Sequence, residues 1–204
     1  MKRTLFVITA ASATGKTSCI KRLCALDERL VQSVSHSTRS MRPGEKDGVD
    51  KYFVSDEDFD ALLAEKQLVE HTSIFGHRCG HTKASIEQIS DAGNDILMVL
   101  NYQGLCMIKA QYPNTVSIFL LPPNLEAISD RIHQRPEAKG EDIRARISSA
   151  ITEMQDYAHY DYLVFNDQIE DAVKDIHTIV MAERLRTRQQ SVHYAETIER
   201  LIGK

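Results

Sequence analysis

Apolar residues along this chain follow two patterns. Four short runs are nearly unbroken: Leu5–Ile8, Ile96–Leu100, Val116–Leu121 and Tyr162–Phe165. Such runs suit strands buried on both faces. Between them lie segments with helical spacing, at 18–26, 59–66, 84–92, 125–134 and 143–159. Ser55 followed by three acidic residues reads as an N-cap with a charge-matched first turn, and Gly93 reads as a helix stop. From Glu170 onward the pattern fits one or two amphipathic helices with a basic middle at 184–188. Shorter strand-like pieces occur at 31–34, 51–54 and 68–75, and 76–82 reads as a loop or hairpin.

Strands alternating with helices predict a parallel sheet of about five strands with helices on both faces. Residues 36–90 break that rhythm and read as an inserted mixed subdomain. The charged stretch 135–142 lies between two helices and is too polar and Gly/Pro-marked for core, so it reads as a lid. The expected fold class is α/β. A three-layer parallel sheet carries an inserted mixed α/β subdomain (about 35–93), a core (1–34 and 94–204) and a lid (about 135–146), all in a single domain.

The junction after the first run changes the picture most. Residues 9–17 read TAASATGKT, between a buried strand and a helix. Free backbone N–H groups and the helix dipole favour an anion at such a junction. Gly15, Lys16 and Thr17 match the end of a phosphate-binding P-loop, where the Lys reaches the outer phosphates and the Thr hydroxyl ligates Mg²⁺. The pattern asks for Gly where Ala10 stands, and no glycine precedes Gly15. An ordinary strand–turn–helix with a Ser or Thr cap is the alternative. Ala11, Ser12, Ala13, Thr14, Gly15, Lys16, Thr17 and Ser18 are the candidate phosphate-binding residues.

Composition narrows the class. The 204 residues suit one ordinary domain, and an apolar fraction of 42% supports a real core. A net charge of −4 argues against a general nucleic-acid binder. No apolar run approaches a membrane span. The basic start is followed by too short an apolar run for a signal peptide. Cys19, Cys24, Cys79 and Cys106 form no C-x-x-C pair and read as reduced thiols, so a cytoplasmic protein is expected. His71, His77, Cys79 and His81 are metal-ligand types at a spacing that matches no structural zinc pattern; exposed or pocket-lining histidines are the plainer reading.

Phosphoryl transfer needs positive charge around the phosphates, a metal and two aligned substrates. Two arginine groups lie beyond the loop: Arg39 with Arg42, and Arg131, Arg135, Arg144 and Arg146. A planar guanidinium fork suits phosphate oxygens. Taken singly, each is as well explained as solvated surface.

At residues 35–45, SHSTRSMRPGE, the sequence resembles the acceptor-binding signature of guanylate kinases, S-x-T-T-R-x-x-R-x-G-E. The resemblance continues in order through Tyr52–Val54, Leu68–His71, Phe75–Gly76, Gln103–Gly104, Leu121–Pro123, Arg131 with Arg135, Arg146, Tyr160–Tyr162, Asn166–Asp167 and Ala182–Arg184. It covers nearly the whole chain. It implies Mg²⁺-dependent transfer of the terminal phosphate of ATP to a nucleoside monophosphate, GMP or dGMP first. Lys16, Arg42, Arg135 and Arg146 would be catalytic, and Thr17 would hold the metal with ATP. Arg131, Asn166 and Asp167 would join the loop on the ATP side, the last two near the adenine. Arg39 and Arg42 would clamp the acceptor phosphate with support from Glu45. Ser35 would hydrogen-bond the base, and Glu70 would accept from the guanine edge. ATP and the acceptor are the expected partners, with no nucleic acid or membrane, in a monomer or homodimer.

The departures from the family pattern cluster. Ala11 and Ala13 replace a Pro and a Gly of the loop. Lys51 and Cys79 stand where the family has acceptor-site tyrosines, with Tyr52 adjacent to the first. His81 stands where it has a hydroxyl, with Thr82 adjacent. Val99 and Asn101 replace two aspartates near the metal and acceptor base, which removes negative charge from that side. Lys51, Tyr52, Cys79, His81, Thr82 and Asn101 are therefore carried as candidate acceptor-site residues. The departures fit retuning toward another acceptor, such as a modified nucleotide or a ribose bisphosphate, or weakening into a binding module. Retention of Lys16, Thr17, Arg42, Arg135 and Arg146 favours an active kinase.

Overall fold

The computed structural model describes residues 3–12, 14–74, 76–133 and 143–203, with residues 132, 143, 145 and 146 described by backbone alone. Ala13, Phe75 and Arg135 lie outside the described residues, as does most of the expected lid. The larger sheet contains β1 (Leu5–Ala10), β2 (Leu30–Gln32), β7 (Asp95–Val99), β8 (Val116–Leu121) and β9 (Tyr162–Phe165). All are parallel, in the order β2-β7-β1-β8-β9. The chain runs from β1 out to β2, returns to β7, then crosses to β8 on the other side of β1. The carboxyl ends of β1, β7 and β8 meet at that reversal, the usual ligand crevice of an open parallel sheet.

Burial on both faces explains the unbroken apolar runs. Phe6, Ile8 and Ala10 pack toward α1 (Lys16–Leu26) and α7 (Ile169–Arg184), against Leu23, Ala172, Ile176 and Val180. Leu5 and Val7 point the other way, toward Ile86 of α3 (Lys83–Asp91) and Leu105 and Ile108 of α4 (Tyr102–Gln111). The sequence pattern did not mark α4. Gly104 lies in its first turn, and only Leu105 and Ile108 among its apolar residues are fully buried, so its amphipathic signal is weak.

The insert forms a second sheet in the order β4-β3-β6-β5. Its strands are β3 (His36–Ser37), β4 (Tyr52–Phe53), β5 (Leu68–Ile74) and β6 (His77–Thr82). β5 and β6 form an antiparallel hairpin. Helix α2 (Asp56–Ala64) starts with a full capping box between Ser55 and Asp58. The hairpin docks on α4, where Gln111 donates to the Val69 carbonyl at 2.6 Å.

Several elements differ from the sequence expectation. The helix expected over 143–159 is α6 (Ile143–Met154) continued by a 3₁₀ turn, Gln155–His159. α1 begins two residues earlier than the apolar spacing suggests, at Lys16. Beyond α7 the chain forms two short helices, α8 (Thr187–His193) and α9 (Ala195–Ile202), so the tail after Glu170 holds three helices, not one or two. α5 (Leu125–His133) leads toward the expected lid and α6 leads away from it.

Candidate active site

The phosphate loop spans the gap between β1 and α1. Gly15 has φ +86°, in the left-handed region, and a Cβ there would lie 2.6 Å from Asn166 Nδ2. Both conformation and space require glycine. Asn166 follows β9 and is 2% exposed. Its Nδ2 donates to the Thr14 carbonyl at 2.5 Å. The Thr14 hydroxyl donates to the Ala11 carbonyl at 2.9 Å, and Lys16 Nζ reaches back to the Ala10 carbonyl at 3.3 Å. Ala11 is buried against Ile128 of α5 and Ala150 of α6, so the loop rests on the base of the helices that bracket the expected lid.

The start of α1 carries no side-chain cap and no acidic residue in its first turn. Its N–H groups and partial positive charge remain suited to phosphate. Thr17 lies in that turn and is exposed. Its hydroxyl makes no hydrogen bond among the described residues. This suits Mg²⁺, which keeps several waters and binds through substrate phosphates and few protein oxygens. Val99 has no donor atom and packs against the core, so it cannot serve the metal.

On the acceptor side, Arg39 and Glu45 form a two-pronged ion pair, at 2.7 Å and 2.5 Å. Glu45 also accepts from the Arg42 backbone N–H at 2.9 Å. The Arg39 hydrogen bond is the main reason the Glu45 carboxyl is pulled down to about 2. Glu45 thus folds the signature turn and holds both arginines in it. Lys51 Nζ donates to the Ser35 hydroxyl at 2.8 Å. Burial holds the Lys51 ammonium below its ordinary value, and the Arg39 charge adds to the effect. Tyr52 stacks on His36 with ring centres 4.8 Å apart.

Glu70 is 2% exposed and His81 3%. A bulge in β5 places them opposite each other: Leu68 pairs with Thr82, and Glu70 pairs with His81. The extra residue, Val69, turns into the apolar core. His81 Nδ1 lies 2.6 Å from Glu70 Oε1. Glu70 Oε2 lies 2.9 Å from where a Cβ of Gly104 would stand. Asn101 caps α4 beside it, accepting from the Gly104 N–H at 2.9 Å. The Thr9 hydroxyl donates to the Leu100 carbonyl at 2.7 Å. That bond ties the strand end that enters the phosphate loop to the strand end that enters the Glu70 region.

Other candidates fall as follows. Thr82 caps α3 through the Ser85 N–H at 3.3 Å, so its hydroxyl is engaged. Cys79 Sγ lies 3.4 Å from the Thr72 hydroxyl. Ser18 and Asp167 are exposed, and Arg131 approaches the loop, with Nη1 3.6 Å from the position of a Gly15 Cβ. His77 sits about 13 Å along β6 from His81, and His71 is exposed on the opposite face of the hairpin from Glu70. Among the described residues no three metal-ligand side chains gather. Sequence reasoning missed the Asn166 brace and the role of Gly104. The Asn-Asp and Gln-Gly pairs flagged both positions, but only the fold shows what they touch.

Known proteins resemble this chain in sequence and in fold. The family model described as guanylate kinase matches residues 2–183. The chain is 38% identical over 203 residues to a guanylate kinase of Alkalilimnicola ehrlichii, covering all of both chains. It is 37% identical to one of Psychrobacter arcticus, covering all of this chain and 98% of that one. The crystal structure of a guanylate kinase from Anaplasma phagocytophilum superposes with a TM-score of 0.75 at 31% identity, covering 91% of this chain and 88% of that one. All four cysteines are unpaired, and among the described residues no helix is long and apolar enough to cross a membrane.

Proposed function

The chain belongs to the guanylate kinase family, and from that premise we propose how its own residues carry ATP-dependent phosphorylation of GMP. The observation that carries the proposal is the Thr9–Leu100 bond, which sets the phosphate loop beside the Glu70 region at one end of the sheet. A donor site and an acceptor site must adjoin for in-line transfer.

Residues 11–18 wrap the ATP phosphates with backbone N–H groups, and Lys16 swings from the Ala10 carbonyl to the outer phosphates. Thr17 would supply its hydroxyl to Mg²⁺, an ion that would offset the negative charge of the phosphates. Arg131 lies against the loop, and Asn166 with Asp167 borders the ATP side. Arg39, Arg42 and Lys51 hold the GMP phosphate, with Glu45 fixing the two arginines. Cys79 borders the same pocket, whereas Tyr52 pairs with His36 on the face of the sheet opposite Cys79 and is not brought to it. Ser35 and Glu70 read the base, and the Glu70 carboxylate accepts from the two adjacent donors of the guanine edge. The acceptor oxygen is already anionic, so no general base is needed. Arg135 and Arg146 are the residues assigned, from the family pattern, to stabilise the spreading charge of the transferring group.

Asn101 caps a helix here, and Val99 packs in the core. Neither supplies the negative charge that the family pattern has at those positions. The site therefore relies on Thr17, water and the phosphates to hold the metal. We read the chain as a cytoplasmic enzyme of purine nucleotide metabolism that acts as a monomer or homodimer. The test is GMP-dependent release of ADP from ATP with Mg²⁺. Lys16→Ala is expected to abolish it.

A further inference from the structure

His81 is not a pattern residue of the family, and its contact is the most enclosed polar contact of the acceptor side. Both partners are almost fully buried, and the Nδ1–Oε1 separation is 2.6 Å. A buried carboxylate needs compensation. Glu70 has two sources. One is His81 on Oε1. The other is the N-terminal turn of α4 against Oε2, where Gly104 leaves room that a Cβ would fill. The carboxylate is thus held at both oxygens, one by a hydrogen bond and one by close packing. The β5 bulge sets the pairing, because unbroken alternation from Leu68 would put the Glu70 side chain on the face of Leu68 and Thr82, opposite that of His81.

We propose that His81 is a positioning residue for guanine specificity: its Nδ1–H fixes Glu70 Oε1 and so orients the carboxylate toward the base. The inference rests on the reading that Glu70 binds the guanine edge. An ionised carboxylate accepts only, so the imidazole carries its proton on Nδ1. Each carboxylate oxygen keeps a lone pair after this contact, so the ring aims Glu70 without using up its capacity to accept from the N1–H and 2-amino groups.

Asparagine and glutamine separate this role from a merely structural one. Asn places an amide N–H near the Nδ1 position, and Gln places it near Nε2. His81→Gln is expected to raise KM for GMP about tenfold, the scale of one charge-assisted hydrogen bond. It should leave kcat and KM for ATP little changed. It should also reduce the preference for GMP over IMP, which lacks the 2-amino group. His81→Asn is expected to recover most of both losses. Equal KM and equal GMP-to-IMP preference in His81→Gln and the unmodified protein would overturn the inference, as would a larger loss in Asn than in Gln. An unmodified protein that fails to turn over GMP at all would instead overturn the underlying reading. KM for ATP in each variant reports that the fold is intact, and variants that both lose ATP binding would assign His81 to the fold and refute the specificity role.

Discussion

Asn166 donates its side-chain amide to the Thr14 carbonyl, so the strand at the edge of the sheet braces the phosphate loop. Removing the amide leaves a carbonyl unpaired in a buried place, which costs about 1–3 kcal/mol. Asn166→Ala is expected to lower Tm by roughly 2–4 °C per kcal/mol lost for a chain of this size. It should raise KM for ATP and leave KM for GMP nearly unchanged. Steady-state kinetics with each substrate varied in turn checks this. An equal rise in both would remove the brace from the account.

Gly15→Ala meets the same amide from the other side. The left-handed backbone and the 2.6 Å approach both oppose a side chain. Loss of ATP binding by titration is the expected outcome, while GMP binding persists.

Arg184 joins the loop after α1 to the start of β7. It reaches Asp27 at 2.5 Å and Asp95 at 2.7 Å, with little exposure of any of the three. Removing it strands two buried carboxylates, so Arg184→Ala is expected to cost about 3–5 kcal/mol without changing KM for either substrate. Burial alone would raise the Asp27 carboxyl, but hydrogen bonding and charge from Arg184 outweigh it and hold the carboxyl below its ordinary 3.8. Its contribution is therefore complete above that value and lost as pH falls below it. Urea unfolding measured across the acid range reads this directly.

The Arg39–Glu45 pair has a similar sign. Its carboxyl is pulled from 4.5 to about 2 by Arg39, then by the Arg42 backbone N–H. The stabilisation is fully present above pH 4.5 and is lost as pH falls toward 2. Glu45→Gln is expected to be less stable than the unmodified protein at neutral pH, and the gap should close as pH approaches 2. It should also raise KM for GMP, because the turn that carries both arginines loses its anchor.

Lys51 has its charge weakened by burial. KM for GMP is expected to rise at an alkaline pH below the ordinary lysine value of 10.5. Lys51→Arg keeps its charge at every accessible pH, so that alkaline rise should disappear. A pH profile of KM that is the same for both proteins would remove Lys51 from phosphate binding.

Much of the core was legible because two-faced burial writes itself as unbroken apolar runs, as at Leu5–Ile8 and Val116–Leu121. The phosphate loop was legible from Gly15, Lys16 and Thr17 set between strand and helix. Helix α4 was not, since Gly104 weakens its pattern and Asn101 reads as a lost acid until its cap is seen. The Glu70–His81 pair was hidden for another reason. A bulge breaks the two-residue period of β5, and period alone would put Val69 and Glu70 on opposite sides of the hairpin without saying why both are buried. His36 and Ser37 form a strand inside a polar signature, where hydropathy carries no signal.

Phosphate passes from ATP to GMP through the loop at Lys16. Coupled detection of ADP release, with ATP, Mg²⁺ and a panel of acceptors including GMP, dGMP, UMP and ribose phosphates, tests it most directly. Turnover is expected with GMP, weaker or no turnover with the pyrimidine and sugar acceptors, and none in Lys16→Ala. No GMP-dependent ADP release from the folded, unmodified protein would contradict it.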